Sequence, residues 1–143
     1  MHWSRLSVVL VLVAGPLLGQ ERVALSFSPD PPDSIPGLAE WLASFGLIEG
    51  AEYSYAAYDL DGDGLDEALV RIRHIHWCSG DLDNCRTLIA SRLDGGPWEQ
   101  LGYPYARSVA VLPSQTNGWY DLAFDDQRYQ KPEWQTGAYT PTD

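Results

Sequence analysis

Tyr53-Ser54-Tyr55-Ala56-Ala57-Tyr58-Asp59-Leu60-Asp61-Gly62-Asp63-Gly64-Leu65-Asp66-Glu67-Ala68-Leu69-Val70-Arg71-Ile72 is the stretch on which the reading of the fold turns. Both ends carry the aromatic and branched apolar residues that suit a pleated, half-buried surface, so Tyr53–Tyr58 and Ala68–Trp77 read as strands. The middle alternates acids with glycines. Asp59, Asp61 and Asp63 can aim three carboxylates at one centre if the chain curls tightly. Gly62 and Gly64 permit that curl, because glycine takes positive φ without strain.

Clustered carboxylates on a tight turn are the donor set of a hard cation. Calcium takes six to eight oxygens at about 2.3–2.6 Å. Asp59, Asp61 and Asp63 would supply carboxylates, Leu65 a backbone carbonyl, and Glu67 the closing carboxylate. Asp66 is expected to point outward or to join through water. In an EF-hand a bidentate Glu closes the loop at the twelfth position. Counted from Asp59 that position is Val70, which cannot coordinate, and the residues after Glu67 read as a strand rather than a helix. The segment is instead similar to the strand-loop-strand calcium loops of FG-GAP and VCBS-type repeats. Magnesium is disfavoured, since it keeps its waters and rigid octahedral geometry. The ion is expected to be structural, because four adjacent carboxylates without it would repel one another.

Upstream, Leu38, Trp41, Leu42 and Phe45 fall at i, i+3, i+4 and i+7, one apolar face of a helix. Asp33-Ser34 followed by Pro36 predicts its start, and Gly46 or Gly50 its end. Downstream, short strands are predicted at Arg86–Leu93, Trp98–Leu101, Ser108–Leu112, Trp119–Phe124, Gln127–Tyr129 and Gly137–Tyr139. Asp94-Gly95-Gly96, Asn117-Gly118 and Asp125-Asp126 separate them as turns. The expected fold class is α+β: an antiparallel β-meander sheet with one N-terminal amphipathic helix packed on it.

The chain has 143 residues, enough for one domain. Arg5, the apolar run Leu6–Leu18 and the small residues around Gly19 have the layout of a signal peptide. The run is shorter than the ~20 residues of a membrane span. Residues 1–20 are therefore read as a leader, 21–33 as a Pro-rich linker with a possible edge strand at Val23–Phe27, and 34–143 as a single domain. The location implied is periplasmic or secreted, with no membrane span after leader removal. Twenty acidic against nine basic side chains leave a net charge of −11. Such a surface repels phosphate backbones and argues against nucleic acid. It suits a cation or a basic protein partner, as for an inhibitor or immunity protein, on a monomer.

Cys78 and Cys85 bracket a turn-rich stretch, and in an oxidising compartment a nearby pair forms a disulfide. His74, His76 and Cys78 alternate, so with Cys85 they define a competing His2Cys2 zinc set. No Gly-x-Ser-x-Gly, His-Glu-x-x-His or phosphate loop is present. Ser79 with His76 lacks an orienting acid, and Asp125-Asp126 reads as a turn. The chain is therefore read as non-enzymatic, with an envelope glycan-binding module or a hydrolase as alternatives. Trp98, Tyr103, Tyr105, Trp119, Tyr120, Tyr129, Trp134 and Tyr139 crowd the C-terminal half and are expected to be core.

Residues 35–125 resemble a group of small exported bacterial proteins. The likeness rests on the helix near Leu38–Phe45, Tyr58–Gly64, the Cys78/Cys85 pair, Asp94-Gly95-Gly96-Pro97-Trp98, Val111-Leu112-Pro113 and Thr116–Leu122. The cysteines here are more widely spaced than the Cys-Gly-Ser-Gly-Gly-Cys run of that group. The resemblance implies an envelope or secreted protein and adds no reaction.

Overall fold

Asn117-Gly118 turns the chain as its composition demands. Both residues have positive φ, 53° and 82°, and Val109–Thr116 (β7) and Trp119–Phe124 (β8) pair antiparallel across them. The computed structural model describes residues 22–133 and 137–142. The leader expected over 1–20 lies outside them. The remaining strands are Val23–Ala24 (β1), Glu52–Tyr58 (β2), Glu67–Arg73 (β3), Cys85–Ser91 (β4), Glu99–Gly102 (β5), Tyr105–Ala106 (β6), Gln127–Gln130 (β9) and Thr140–Pro141 (β10).

These strands form two antiparallel sheets. One has the order β1-β7-β8-β9-β10; the other has the order β2-β3-β4-β5, with β6 also paired to β4. Ala56, Leu69, Ile89 and Leu101 of the second sheet pack with Val111, Trp119, Leu122 and Phe124 of the first in one buried cluster. A second cluster covers the opposite face of the second sheet. There Ala68, Val70, Ile72, Leu88 and Ala90 meet Ile35, Leu38, Leu42 and Trp98. β3 is thus buried on both faces, which explains its unbroken Ala68-Leu69-Val70 run.

The expected α+β meander with an N-terminal amphipathic helix is overturned. The described chain is mostly strand, in two sheets rather than one, and its helix, Leu38–Ser44 (α1), has only 7 residues. That helix starts later than Asp33-Ser34 predicts. Asp33 and Ser34 are spent in a turn, and Gly37, at φ 78°, stands at the N-cap without a side-chain cap. Two turns are too few to be stable alone, so the helix depends on burying Leu38 and Leu42 against the sheet. Trp98 fastens its entry by donating its indole N–H to the Pro36 carbonyl at 3.1 Å.

The segment read as a linker joins both sheets. Leu25 N–H donates to Val109 O, and Ser28 and Tyr55 exchange both backbone hydrogen bonds, at 2.9 and 2.7 Å. Of the C-terminal aromatics, Trp98, Trp119 and Tyr139 are buried, Tyr120 and Tyr129 half-buried, and Tyr103 and Tyr105 exposed. Trp134 lies outside the described residues.

Candidate metal centre

β2 and β3 pair from Glu52↔Arg73 to Tyr58↔Glu67, so the acidic loop is the closing turn of a regular hairpin. Its carboxylates hold the turn in shape. Asp59 accepts from Gly62 N–H through Oδ1 and from Gly64 N–H through Oδ2, both at 3.0 Å. Asp61 Oδ1 accepts from Asp63 N–H at 3.2 Å, and Asp63 Oδ1 from Leu65 N–H at 2.8 Å. Gly62 and Gly64 have φ 73° and 87°. A Cβ at either would meet nothing within 4 Å, so backbone conformation rather than crowding requires glycine there.

The turn brings Asp59, Asp61, Asp63 and Glu67 together, each with a ligand atom within 4.8 Å of the others. Four carboxylates so placed can hold a metal ion. Leu65 stands in the same turn, its N–H committed to Asp63. Asp66 is half-buried and outside the converging four.

Glu67 is the unusual member. It is 1 % exposed, although it begins a strand that follows an exposed loop. Its Oε2 accepts from Leu60 N–H at 2.5 Å, while Oε1 is buried without a hydrogen-bond partner. A buried acceptor left bare costs about 1–3 kcal/mol, and more when charged. Burial pushes the Glu67 carboxyl up to about 9 despite the Leu60 bond, and the charges of Asp61, Asp63 and Asp59 add to the rise. Burial, followed by the neighbouring Asp63, raises Asp61 to about 6. A cation among these oxygens would supply the missing partner and reverse the repulsion. The donor set therefore fits a hard metal ion.

The loop is also tied to the opposite sheet. Leu60 is fully buried between the sheets, and its carbonyl accepts from Tyr120 N–H on β8 at 2.8 Å. Tyr139 donates its hydroxyl to Tyr120 O at 2.8 Å. Burial, then Glu67, raises the Tyr139 phenol above its ordinary value. Sequence reasoning missed Tyr120 and Tyr139 as supports of the loop, because no local pattern marks a contact made across two sheets.

The zinc alternative is not assembled. Cys78 and Cys85 form a disulfide, so their sulfurs are not free to ligate. β3 ends at Arg73, and His74–Trp77 turns rather than extending the strand, with Trp77 N–H donating to His74 O at 2.8 Å. The disulfide lobe is clamped by arginines. Arg71 reaches the carbonyls of Asp83 and Arg107, Arg73 that of Leu82, and Arg107 pairs with Asp81 at 2.6 Å. Asp125 acts as a turn residue, accepting the N–H groups of Arg107 and Ser108. Among the described residues no hydrogen bond joins Ser79 to His76, and no helix is long and apolar enough to cross a membrane. Compared with known proteins, the chain matches no family model, no curated protein and no solved structure.

Proposed function

We propose that Asp59, Asp61, Asp63, the Leu65 carbonyl and Glu67 bind one calcium ion whose role is structural, in an exported, non-enzymatic domain. The observation that carries this reading is the bare, buried Oε1 of Glu67 beside three converging aspartates. Calcium is favoured over magnesium because a flexible all-oxygen set of five or more donors suits its larger shell. The strands on both sides of the loop support the FG-GAP and VCBS-type likeness over an EF-hand. Because Leu60 and Tyr120 link the loop to β8, the ion would stiffen the junction between the sheets as well as the hairpin.

Support for export comes from the leader-like residues 1–20 and from the disulfide, which needs an oxidising compartment. The net charge of −11 supports a basic protein as partner. Thermal melts with calcium, with magnesium and with chelator test the metal assignment. Calcium raises Tm, magnesium does so less, and Asp61→Ala abolishes the rise. A melt indifferent to calcium up to about 1 mM, the weak limit of extracellular modules, would sink it.

A further inference from the structure

The outer face of the second sheet holds a cleft unconnected with the acidic loop. It opens between α1 and strands β2–β5 and has a volume of about 610 Å³, within the ~300–1,000 Å³ of small-molecule sites. Trp41, Phe45, Tyr53, Trp77 and Tyr103 line it with aromatic rings, and Gln100 adds a carboxamide. Ile72 and Leu88 form part of its apolar floor. Tyr53 pairs with Ile72, at the end of the β2–β3 hairpin remote from the Tyr58–Glu67 pair that closes the acidic loop. The side chains also point to opposite faces, since Ile72 belongs to the helix-side cluster and Leu60 to the inter-sheet cluster.

Three features define what the cleft can take. First, none of its described lining residues is charged, in a chain with twenty acidic and nine basic side chains. The guanidinium bordering the rim, that of Arg86, is committed to the Tyr103 carbonyl and ring, so no described lining side chain offers an ionic ligand a counter-charge. Second, the lining carries uncommitted neutral polar groups. Among the described residues the indole N–H groups of Trp41 and Trp77, the Gln100 carboxamide and the Tyr103 hydroxyl have no intramolecular hydrogen bond, whereas the Trp98 indole does. A purely aliphatic occupant would desolvate those groups without pairing them, at about 1–3 kcal/mol each. Third, large rings stand open at the rim. Phe45 is 71 % exposed and meets Trp41 edge-on at 4.9 Å, and Tyr103 is 47 % exposed. Arg86 holds Tyr103 in place, donating to its carbonyl at 2.9 Å with the guanidinium 4.5 Å from the ring centroid.

Flat apolar faces bordered by neutral donors and acceptors match a ligand with C–H faces and hydroxyl edges. We propose that this cleft is a binding site for a neutral carbohydrate chain, with the rings of Trp41, Trp77 and Tyr103 stacking on sugar faces and Gln100 and the indole N–H groups pairing with hydroxyls. The site stands apart from the metal reading and goes beyond it.

The test follows the indole N–H resonances of the full domain by NMR, in saturating calcium. Cellotetraose and chitotetraose are the neutral probes; tetragalacturonate and octanol are the anionic and aliphatic controls. The expected result is that a neutral tetrasaccharide shifts the Trp41 and Trp77 resonances saturably, leaves that of Trp98 in place, and outcompetes both controls. Gln100→Ala, at an exposed position, weakens that binding about tenfold with Tm unchanged, and Trp77→Phe weakens it while keeping the ring. No shift with either neutral probe at about 10 mM, well above a millimolar Kd, overturns the proposal. So does a stronger response to octanol or tetragalacturonate, or binding indifferent to both substitutions.

Discussion

Replacing Glu67 with glutamine separates the two opposed effects of the acidic loop, the cost of burying its charge and the gain from binding an ion. The substitution keeps the shape and leaves an oxygen to accept from Leu60 N–H. Without metal, the folded carboxyl holds its proton up to about 9, whereas the unfolded one releases it near 4.5. The folded state therefore binds the extra proton throughout that window. The stabilisation of the protonated form is complete below 4.5 and is lost as pH rises toward 9. At ~1.4 kcal/mol per pH unit, the metal-free protein loses about 3 kcal/mol between its unfolded value and neutrality. The amide of the variant does not titrate. In chelator near pH 8, about 3.5 units above the unfolded value, Glu67→Gln should melt about 15 °C higher than the parent chain. Near pH 5, about where the folded parent still holds its proton, the difference should nearly vanish. Calcium narrows the gap. A site filled to about a hundred times its Kd gains ~2.7 kcal/mol, and the variant, lacking the closing carboxylate, gains little of it. Melts followed by circular dichroism at both pH values, with calcium and with chelator, give all four numbers. A lower Tm for Glu67→Gln in chelator near pH 8 would refute the buried carboxyl as the source of instability in the metal-free loop.

Three further outcomes are expected. Asp121 is fully buried and accepts from Ser114, Thr116 and Arg128 at 2.6–2.7 Å; burial alone would raise its carboxyl, but these donors outweigh it and hold it below the usual range. Its contribution is thus present above the ordinary aspartate value and lost as pH falls through the lower folded one, and Asp121→Asn should cost about 2 kcal/mol at neutral pH, less than a fully buried pair because Arg128 is half-exposed. Chemical denaturation across acid pH measures both, and a variant as stable as the parent at neutrality would refute the assignment. Converting Cys78 and Cys85 together to alanine should cost about 2–3 kcal/mol, read as a shift in denaturation midpoint that matches reduction of the parent chain. Asn117→Ala loses the bonds from its carboxamide to Lys131 O and Pro132 O as well as a turn residue at φ 53°, so a drop of about 2 kcal/mol is expected; an unchanged midpoint would mean the tip contributes nothing.

Local chemistry was legible in the chain and long-range partition was not. Trp119–Phe124 and the Asn117-Gly118 turn are where composition places them, and Tyr53–Tyr58 lacks only Glu52. The acidic loop is legible because its ligands lie within one short run of consecutive residues. What composition does not mark is the passage between sheets. The chain crosses from β6 to β7 over Arg107-Ser108, which contains neither glycine nor proline, and the crossing is stabilised by Asp125, far along the chain. Without that signal, successive hairpins read as one meander. The helix was displaced for a related reason. Pro36 looks like a first-turn residue, yet its carbonyl is held by Trp98, 62 positions further along the chain. The aromatic cleft was hidden because Trp41 reads as a core-face residue of the helix and Trp77 as the end of a strand that stops at Arg73.

The pairing of Val23 and Ala24 with Val111 and Ala110 sets an order on assembly. The β2–β3–β4 ladder joins neighbours in the chain and can close as soon as it has emerged from a ribosome or a translocation pore. β1 emerges before it but finds no edge until β7 has followed, and loop closure over that separation is slow. During that interval the first strand is an adhesive end without a mate. The hairpin that carries the acidic loop is thus in place while the strand that precedes it in the chain still waits for its partner.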